Sequence, residues 1–179
     1  MSTPHITIRP ATLGDVEFLT SGNSRMALET EGLSLDPVRL RAGVRAVFDD
    51  PARGFYLIAE LEGAPAGQMM ITYEWSDWRN ATFWWIQSVY TVPEQRGRGV
   101  FRMLYSHCEA LAREQGVCGL RLYVEGHNLK AQATYLRCGM KEAVYRMFEV
   151  DHVIPRQEQS TSSTQVPLRE SANLSREAK

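Results

Sequence analysis

The chain has 179 residues, of which 44% are hydrophobic and 23% are charged, a composition typical of one globular domain of ordinary size. Its 20 Lys and Arg residues and 21 Asp and Glu residues leave a formal charge of −1. This balance disfavours a dedicated nucleic-acid-binding protein and a polybasic membrane protein. No segment approaches the roughly 20 apolar residues of a membrane helix, and the N-terminus lacks the pattern of a signal peptide. We therefore expect a cytoplasmic protein with no membrane or nucleic-acid partner.

Apolar periodicity predicts a regular series of elements over residues 6–150. The predicted strands are 6–9, 55–59, 67–73, 81–92, 119–125 and 144–150, and the predicted helices are 15–29, 37–50, 101–115 and 128–137. The first helix shows an interruption at 21–23, and residues 75–80 are expected to form a loop. The order of the elements predicts an α+β fold, with a mixed, mostly antiparallel central sheet and helices on both of its faces.

The last part of the chain differs in composition from the rest. From residue 155 it is rich in Gln, Ser, Thr and Glu and has no apolar period. Such a segment buries too little apolar surface to offset the entropy lost on ordering. We therefore predict one domain over residues 1–153 and a disordered tail over residues 154–179.

The cysteine and histidine spacings point away from a metal site. The three cysteines, Cys108, Cys118 and Cys138, are too few and too widely spaced for a disulfide framework or a Cys-x-x-Cys metal site. The four histidines form no pair at the spacing of metal ligands. We predict reduced cysteines and no metal.

The segment from 89 to 101 places a strand, a glycine-containing loop and an amphipathic helix in direct succession. The first turn of a helix leaves backbone N–H groups unpaired and carries partial positive charge. Gly97 and Gly99 let phosphate groups approach those N–H groups closely, and Arg96 and Arg98 add positive charge. The chain lacks the glycine patterns of the nucleotide P-loop and of the Rossmann turn. The segment favours a diphosphate ligand, although taken alone it is also compatible with a basic surface turn.

Two motifs in register resemble the GCN5-related N-acetyltransferase (GNAT) family. The coenzyme A loop of that family follows the pattern [Gln/Arg]-x-x-Gly-x-[Gly/Ala], which Arg96 and Gly99 match, whereas Phe101 replaces the small residue. The next helix of the family follows Asn-x-x-Ala-x-x-x-Tyr-x-x-x-Gly-[Phe/Met], matched here by Asn128, Ala131, Tyr135, Gly139 and Met140. The resemblance covers roughly residues 5–150. It implies the family's fold, acetyl-CoA as co-substrate and direct acetyl transfer to an amine without a metal.

The resemblance also implies roles for individual residues. The pyrophosphate of the coenzyme would bind at Arg96, Gly97, Arg98, Gly99, Val100 and Phe101. Backbone N–H groups around Val89 and Tyr90 would hold the thioester carbonyl, and Asn128, the expected helix N-cap, would lie near the pantetheine. Because Phe101 lies on the apolar stripe of its helix, we expect its side chain to point into the core.

Tyr135 is the candidate general acid. A phenol with a pKa of about 10 can protonate a departing thiolate whose pKa is about 8.5. The resemblance assigns this role to the same residue, and the alternative is a tyrosine that only packs in the core.

The general base is left open by the sequence. The strand before the loop carries Gln87 and Ser88, and neither is a base at neutral pH. Glu31 is the selected candidate. The other acids considered are Glu29, Glu74, Asp77 and Glu125, and a chain of water molecules is a further alternative. Trp75, Trp78, Trp84 and Trp85 could line a pocket for a cationic amine.

Three functions are compatible with this pattern. The first is an N-acetyltransferase acting on a small-molecule or protein amine. The second is a regulatory module of the same fold that binds coenzyme A without turnover, and the third is an RNA-contacting domain that uses Arg96 and Arg98. The oligomeric state is not determined by the sequence, and a homodimer is the commonest assembly.

Overall fold

The computed structural model describes residues 5–154, and within them it shows a five-stranded sheet and four α-helices. The elements in chain order are β1 (Ile6–Pro10), α1 (Val16–Glu31), α2 (Pro37–Asp49), β2 (Phe55–Leu61), β3 (Ala64–Ser76), β4 (Ala81–Thr91), α3 (Val100–Glu114), β5 (Gly119–Arg121) and α4 (Leu129–Arg137). Nearly all of the tail predicted at 154–179 lies outside the described residues.

The strands are arranged in the order β1-β2-β3-β4-β5. The first three pairings are antiparallel and the pairing of β4 with β5 is parallel. β2 and β3 form a hairpin whose two connecting residues, Glu62 and Gly63, both have positive φ angles, as a two-residue hairpin turn requires. The predicted mixed, mostly antiparallel sheet is confirmed.

Helices cover both faces of the sheet because alternate residues of each strand face opposite sides. On β2, Leu57 and Ala59 belong to a core that includes Leu104 and Cys108 of α3. Tyr56 and Ile58 belong to a second core that contains Val16 and Leu19 of α1 and Val44 and Val47 of α2. The sheet therefore separates α3 from α1 and α2, which confirms the helices predicted on both faces.

The prediction of an interruption in the first helix is wrong, because α1 runs unbroken through residues 21–23. Gly22 packs directly against Gln68 of β3, and a Cβ atom at this position would clash with the amide of that side chain. Asn23 accepts a hydrogen bond of 2.7 Å from Nε2 of Gln68. The glycine and the asparagine at residues 22 and 23 therefore allow α1 to pack closely on the sheet.

β3, β5 and the strand predicted at 144–150 differ most from the prediction. β3 extends through Ser76, so that only residues 77–80 form the turn. β5 contains three residues, Gly119–Arg121, in place of the seven predicted. The final strand predicted at 144–150 is absent from the described part of the chain. Alternating sequence does not make a strand unless another strand completes its hydrogen bonds.

The chain divides into two units, one ending at Glu142 and the other beginning at Ala143. In the second unit, residues 143–154 contain neither helix nor strand, and the Asp151 carboxylate accepts hydrogen bonds from the backbone N–H groups of Val153 and Ile154.

None of the helices in the described residues combines the length and apolar character that crossing a membrane requires.

Candidate functional site

The loop between β4 and α3 exposes the first turn of the helix. Gly97 and Gly99 have φ angles of 80° and 89°, in the region that favours glycine. Gly99 is the N-cap of α3 and contributes no side-chain capping bond. Its carbonyl accepts the N–H of Met103 at 3.0 Å, which is the first bond of the helix. The N–H groups of residues 100–102 precede that bond and form a site suited to an anion.

Arg96 fastens this loop to the rest of the molecule. Its Nε donates to the carbonyl of Thr91 at 3.0 Å, and its Nη2 donates to Glu29 of α1 at 2.6 Å. The guanidinium also lies 5.6 Å from the ring centre of Tyr90. The positive charge of Arg96 is therefore compensated by Glu29, and its side chain is committed to holding the loop.

Arg102 is a candidate that the sequence analysis missed. Its Nη2 lies 3.6 Å from the position that a Cβ atom on Gly99 would occupy. The guanidinium is thus beside the N-terminus of α3, where Arg98 is also exposed. The sequence contained a signal for this position, because Arg102 follows the N-cap Gly99 by three residues and residues three apart lie next to each other on a helix. Arg98 and Arg102 thus add positive charge beside the N-terminus of α3.

The side chains of Val100 and Phe101 turn toward the protein interior. Val100 is 2% exposed, and its Cγ1 would lie 2.6 Å from a Cβ atom on Gly67 of β3. Phe101 packs against the core on the α3 face, and its ring centre lies 5.4 Å from that of Tyr135. The packing expected for Phe101 is therefore observed, and its bulk does not fill the space in front of the helix N-terminus.

Tyr135 lies on α4 beside the first turn of α3. Asn128 begins α4, and its Oδ1 accepts the N–H of Ala131 at 3.1 Å, which confirms the predicted N-cap. Burial raises the pKa of the Tyr135 phenol above its ordinary value. The phenol therefore stays protonated at neutral pH, as a general acid must.

β4 contains a bulge in its pairing with β3. Gln68 of β3 pairs with Tyr90, and Met70 pairs with Gln87, so that β4 has one residue more than β3 between the two pairs. Ser88, inside the bulge, has a φ angle of 47°, which is rare for a residue with a side chain. A bulge re-aims backbone groups and leaves some of them outside the ladder.

The sheet opens beside this bulge. Within the described residues, β4 and β5 pair only from Phe83–Gly119 to Trp85–Arg121. We name the gap beyond Trp85 and Arg121 the β4–β5 opening. Ser88 and Val89 lie on the β4 side of this opening, and backbone N–H groups there can serve as donors to a substrate carbonyl.

The carboxylates considered as general bases have different environments. Glu31 is exposed at the last residue of α1, the helix on the sheet face opposite α3. Glu29 binds Arg96, Asp77 accepts the N–H of Trp78 at 2.8 Å, and Glu125 accepts that of His127 at 2.9 Å.

Glu74 is held as an anion. One of its oxygens accepts the indole N–H of Trp85, and the other accepts from Arg121 at 2.6 Å. The hydrogen bond from Trp85, followed by the contributions of Arg121, lowers the pKa of this carboxyl. Glu74 is consequently a poor proton acceptor.

The four tryptophans do not line one pocket. Trp84 is a 3% exposed core residue on the α3 face, and Trp85 faces the other side because neighbouring strand residues alternate. Trp75 and Trp78 are exposed. The pocket proposed from the sequence for a cationic amine is thus wrong.

The fold and motifs define an acetyltransferase. The family model described as the acetyltransferase (GNAT) family matches residues 25–140, and the chain belongs to this family. No curated protein sequence matches the chain.

Solved structures agree with this assignment. A possible acetyltransferase from Clostridium difficile 630 is 39% identical, with a TM-score of 0.77 over 83% of this chain and 99% of that chain. A predicted acetyltransferase with acetyl-CoA from Clostridium acetobutylicum is 18% identical, with a TM-score of 0.67 over 82% of this chain and 96% of that chain. An aminoglycoside N-acetyltransferase in complex with CoA is 14% identical, with a TM-score of 0.67 over 85% of this chain and 98% of that chain. The last two likenesses concern the fold.

Proposed function

We propose that the protein is an acetyl-CoA-dependent N-acetyltransferase that transfers the acetyl group directly to an amine. The observation that carries this proposal is the contact between Phe101 and Tyr135, whose ring centres are 5.4 Å apart. It joins the anion site at the start of α3 to a half-buried, protonated phenol. The acetyl-CoA and CoA complexes of two proteins with this fold support the choice of co-substrate.

In this proposal the coenzyme's diphosphate binds the N–H groups of residues 100–102. Gly97 and Gly99 permit its approach, and Arg98 and Arg102 supply the charge. Arg96 acts by holding the loop, and Asn128 acts by starting the helix that carries Tyr135.

The acetyl group then lies at the β4 bulge. A backbone N–H at Val89 or Tyr90 donates to the thioester carbonyl and stabilises the negative charge that develops on its oxygen. The neutral amine attacks the carbonyl carbon, the C–S bond breaks, and Tyr135 gives its proton to the departing sulfur. The amine loses its proton to a carboxylate, for which Glu31 is the proposed group, or to a chain of water molecules.

The test compares two tyrosines that both contact Phe101. Tyr135→Phe should bind CoA as the unaltered protein does, as measured by calorimetry, while its rate of CoA release with an amine panel falls by about 10²-fold or more. Tyr105→Phe is the matched control, since Tyr105 lies 6.1 Å from Phe101 on the α3 side, and its rate should change little. Equal rates for the two variants would remove Tyr135 from the mechanism. Tight binding of CoA with no release on any amine would indicate a non-catalytic coenzyme-binding module.

A further inference from the structure

We propose that Gln87 holds the acceptor amine, with its side-chain carbonyl oxygen accepting an N–H of the attacking nitrogen. Thr72 is the positioning residue that fixes the Gln87 amide. The inference rests on the proposed acetyl transfer and adds to it the contact that orients the second substrate. It is carried by the hydrogen bond from Nε2 of Gln87 to Oγ1 of Thr72, which is 2.7 Å long.

Gln87 lies on the sheet face opposite α3. It pairs with Met70 of β3, and the side chains of directly opposite residues share a face of the sheet. Met70 packs against the core formed with α1 and α2, whereas Ile86, the neighbour of Gln87, belongs to the core on the α3 face. Gln87 is half-buried, so a ligand can reach its side chain from the face that it occupies.

Gln87 also borders the β4–β5 opening. The last pair of β4 with β5 is Trp85 with Arg121, and Gln87 lies two residues beyond it. The bulge at Ser88 follows directly, and after it comes Val89, whose backbone N–H holds the thioester carbonyl in the proposed reaction. Gln87 and Val89 are about 7 Å apart along an extended strand. The side chain of Gln87 can therefore reach a nitrogen that attacks a carbonyl held at Val89.

Thr72 determines which atom of the amide faces the opening. Thr72 belongs to β3, which lies on the other side of β4 from β5. Because Nε2 of Gln87 donates to Thr72, Oε1 of the same planar amide is turned away from β3 and toward the β4–β5 opening. Among the described residues this is the hydrogen bond that the Gln87 side chain makes, so the oxygen keeps its lone pairs for a donor on a ligand.

The carboxylate on the same face does not compete for the amine. Glu74 follows Thr72 at the spacing of residues that share a strand face, and its two oxygens accept hydrogen bonds from Trp85 and Arg121. Arg121 in turn lies over the ring of Phe83, at the paired end of β4 and β5. Glu74 is therefore engaged away from the opening, whereas the oxygen of Gln87 faces it.

The coenzyme and the acceptor approach the thioester from opposite faces of the sheet. Phe101, which contacts Tyr135, packs on the α3 face, and the departing sulfur lies near Tyr135 in the proposed reaction. The amine therefore enters from the face that carries Gln87. An amide oxygen accepts an N–H and, being uncharged, stabilises an ammonium ion less than a carboxylate does. It thus orients a neutral amine with its lone pair toward the carbonyl carbon.

The experiment uses two coenzyme A thioethers that differ only at the position of the amine nitrogen. One carries an N-methylacetamide group on sulfur, and the other is the ketone in which a methylene group replaces the NH. Both supply the diphosphate and a carbonyl, and neither is a thioester, so calorimetry measures their Kd values without turnover. The unaltered protein should bind the amide roughly three- to tenfold more tightly than the ketone, which is the effect of one neutral hydrogen bond.

Variants of the two residues should change the ratio of these Kd values. Gln87→Leu should make the two values equal, whereas Gln87→Glu, which keeps an oxygen at this place, should retain the preference for the amide. Thr72→Val removes the hydroxyl and should reduce the preference, and Thr72→Ser, which restores it, should recover the preference.

Thr82→Val is the matched control. Thr82 is a half-buried threonine of the same strand pair, at the end far from the opening, and its variant should keep the ratio of the unaltered protein. The Kd for CoA itself should stay unchanged in every variant. A role of Gln87 in packing alone would weaken both thioethers together and leave their ratio as it was.

The outcomes separate this inference from the proposed function. Equal binding of the two thioethers by the unaltered protein, tighter binding of the ketone, or an unchanged ratio in Gln87→Leu would overturn the role of Gln87 and leave the acetyl transfer standing. Equal ratios in Thr72→Val and Thr82→Val would remove Thr72 as the positioning residue. Preference for the amide without CoA release on any amine would support Gln87 and contradict the acetyl transfer. Failure of CoA and of both thioethers to bind would overturn both.

Discussion

Replacement of Gly99 by valine tests whether the loop before α3 is the phosphate site. Gly99 has a φ angle of 89°, and a residue with a Cβ atom held in the left-handed region costs roughly 1–2 kcal/mol. In the free protein the loop can relieve this strain by moving, and a bound diphosphate would have to restore the original geometry. Since 1.4 kcal/mol is about tenfold in affinity, the Kd for CoA should rise about 5- to 30-fold, measured by calorimetry.

Gly116 provides the matched control at the other end of the same helix. Its φ angle is 68°, and no atom lies within 4 Å of the position of an added Cβ atom. Gly116→Val should therefore lower stability by about 1–2 kcal/mol in a urea titration, and the Kd for CoA should stay unchanged. If Gly99→Val loses little stability, which indicates that its loop has moved, and still binds CoA normally, the diphosphate does not bind at the start of α3.

Three further predictions concern ionisable groups. The hydrogen bond from Arg9 lowers the pKa of Asp15 to about 2. The ionised carboxylate should therefore contribute about 1–2 kcal/mol to the free energy of unfolding above pH 4, and this contribution is lost as the pH falls toward 2. Urea titrations should show no such loss for Asp15→Asn. Glu29→Gln removes an exposed ion pair with Arg96 and should lower the free energy of unfolding by less than about 1 kcal/mol. Its kcat should stay unchanged. A large fall in kcat would indicate that Glu29 accepts a proton in the reaction. Burial raises the pKa of Tyr135, so the fall of kcat at alkaline pH should begin only above about 10, and a fall centred well below that value would exclude the phenol as the acid.

The sequence alone determined the order of the elements up to α4 and the position of the glycine loop that precedes α3. These are local features, because helix caps, glycine turns and apolar periods act between residues a few positions apart. Asn128 caps α4 as its sequence context required. The glycines of the loop have positive φ angles, as a sharp turn into a helix demands.

The tertiary structure decided which partner each charged side chain has. The sequence placed Arg96 at the phosphate and Glu74 among the acids near the tryptophans. In the structure Arg96 binds Glu29, which is 67 residues earlier, and Glu74 binds both Trp85 and Arg121. Partners so distant along the chain meet only after the sheet and helices have packed. The prediction of a strand at 144–150 is wrong for a similar reason. A strand needs a neighbouring strand, which its own sequence does not specify.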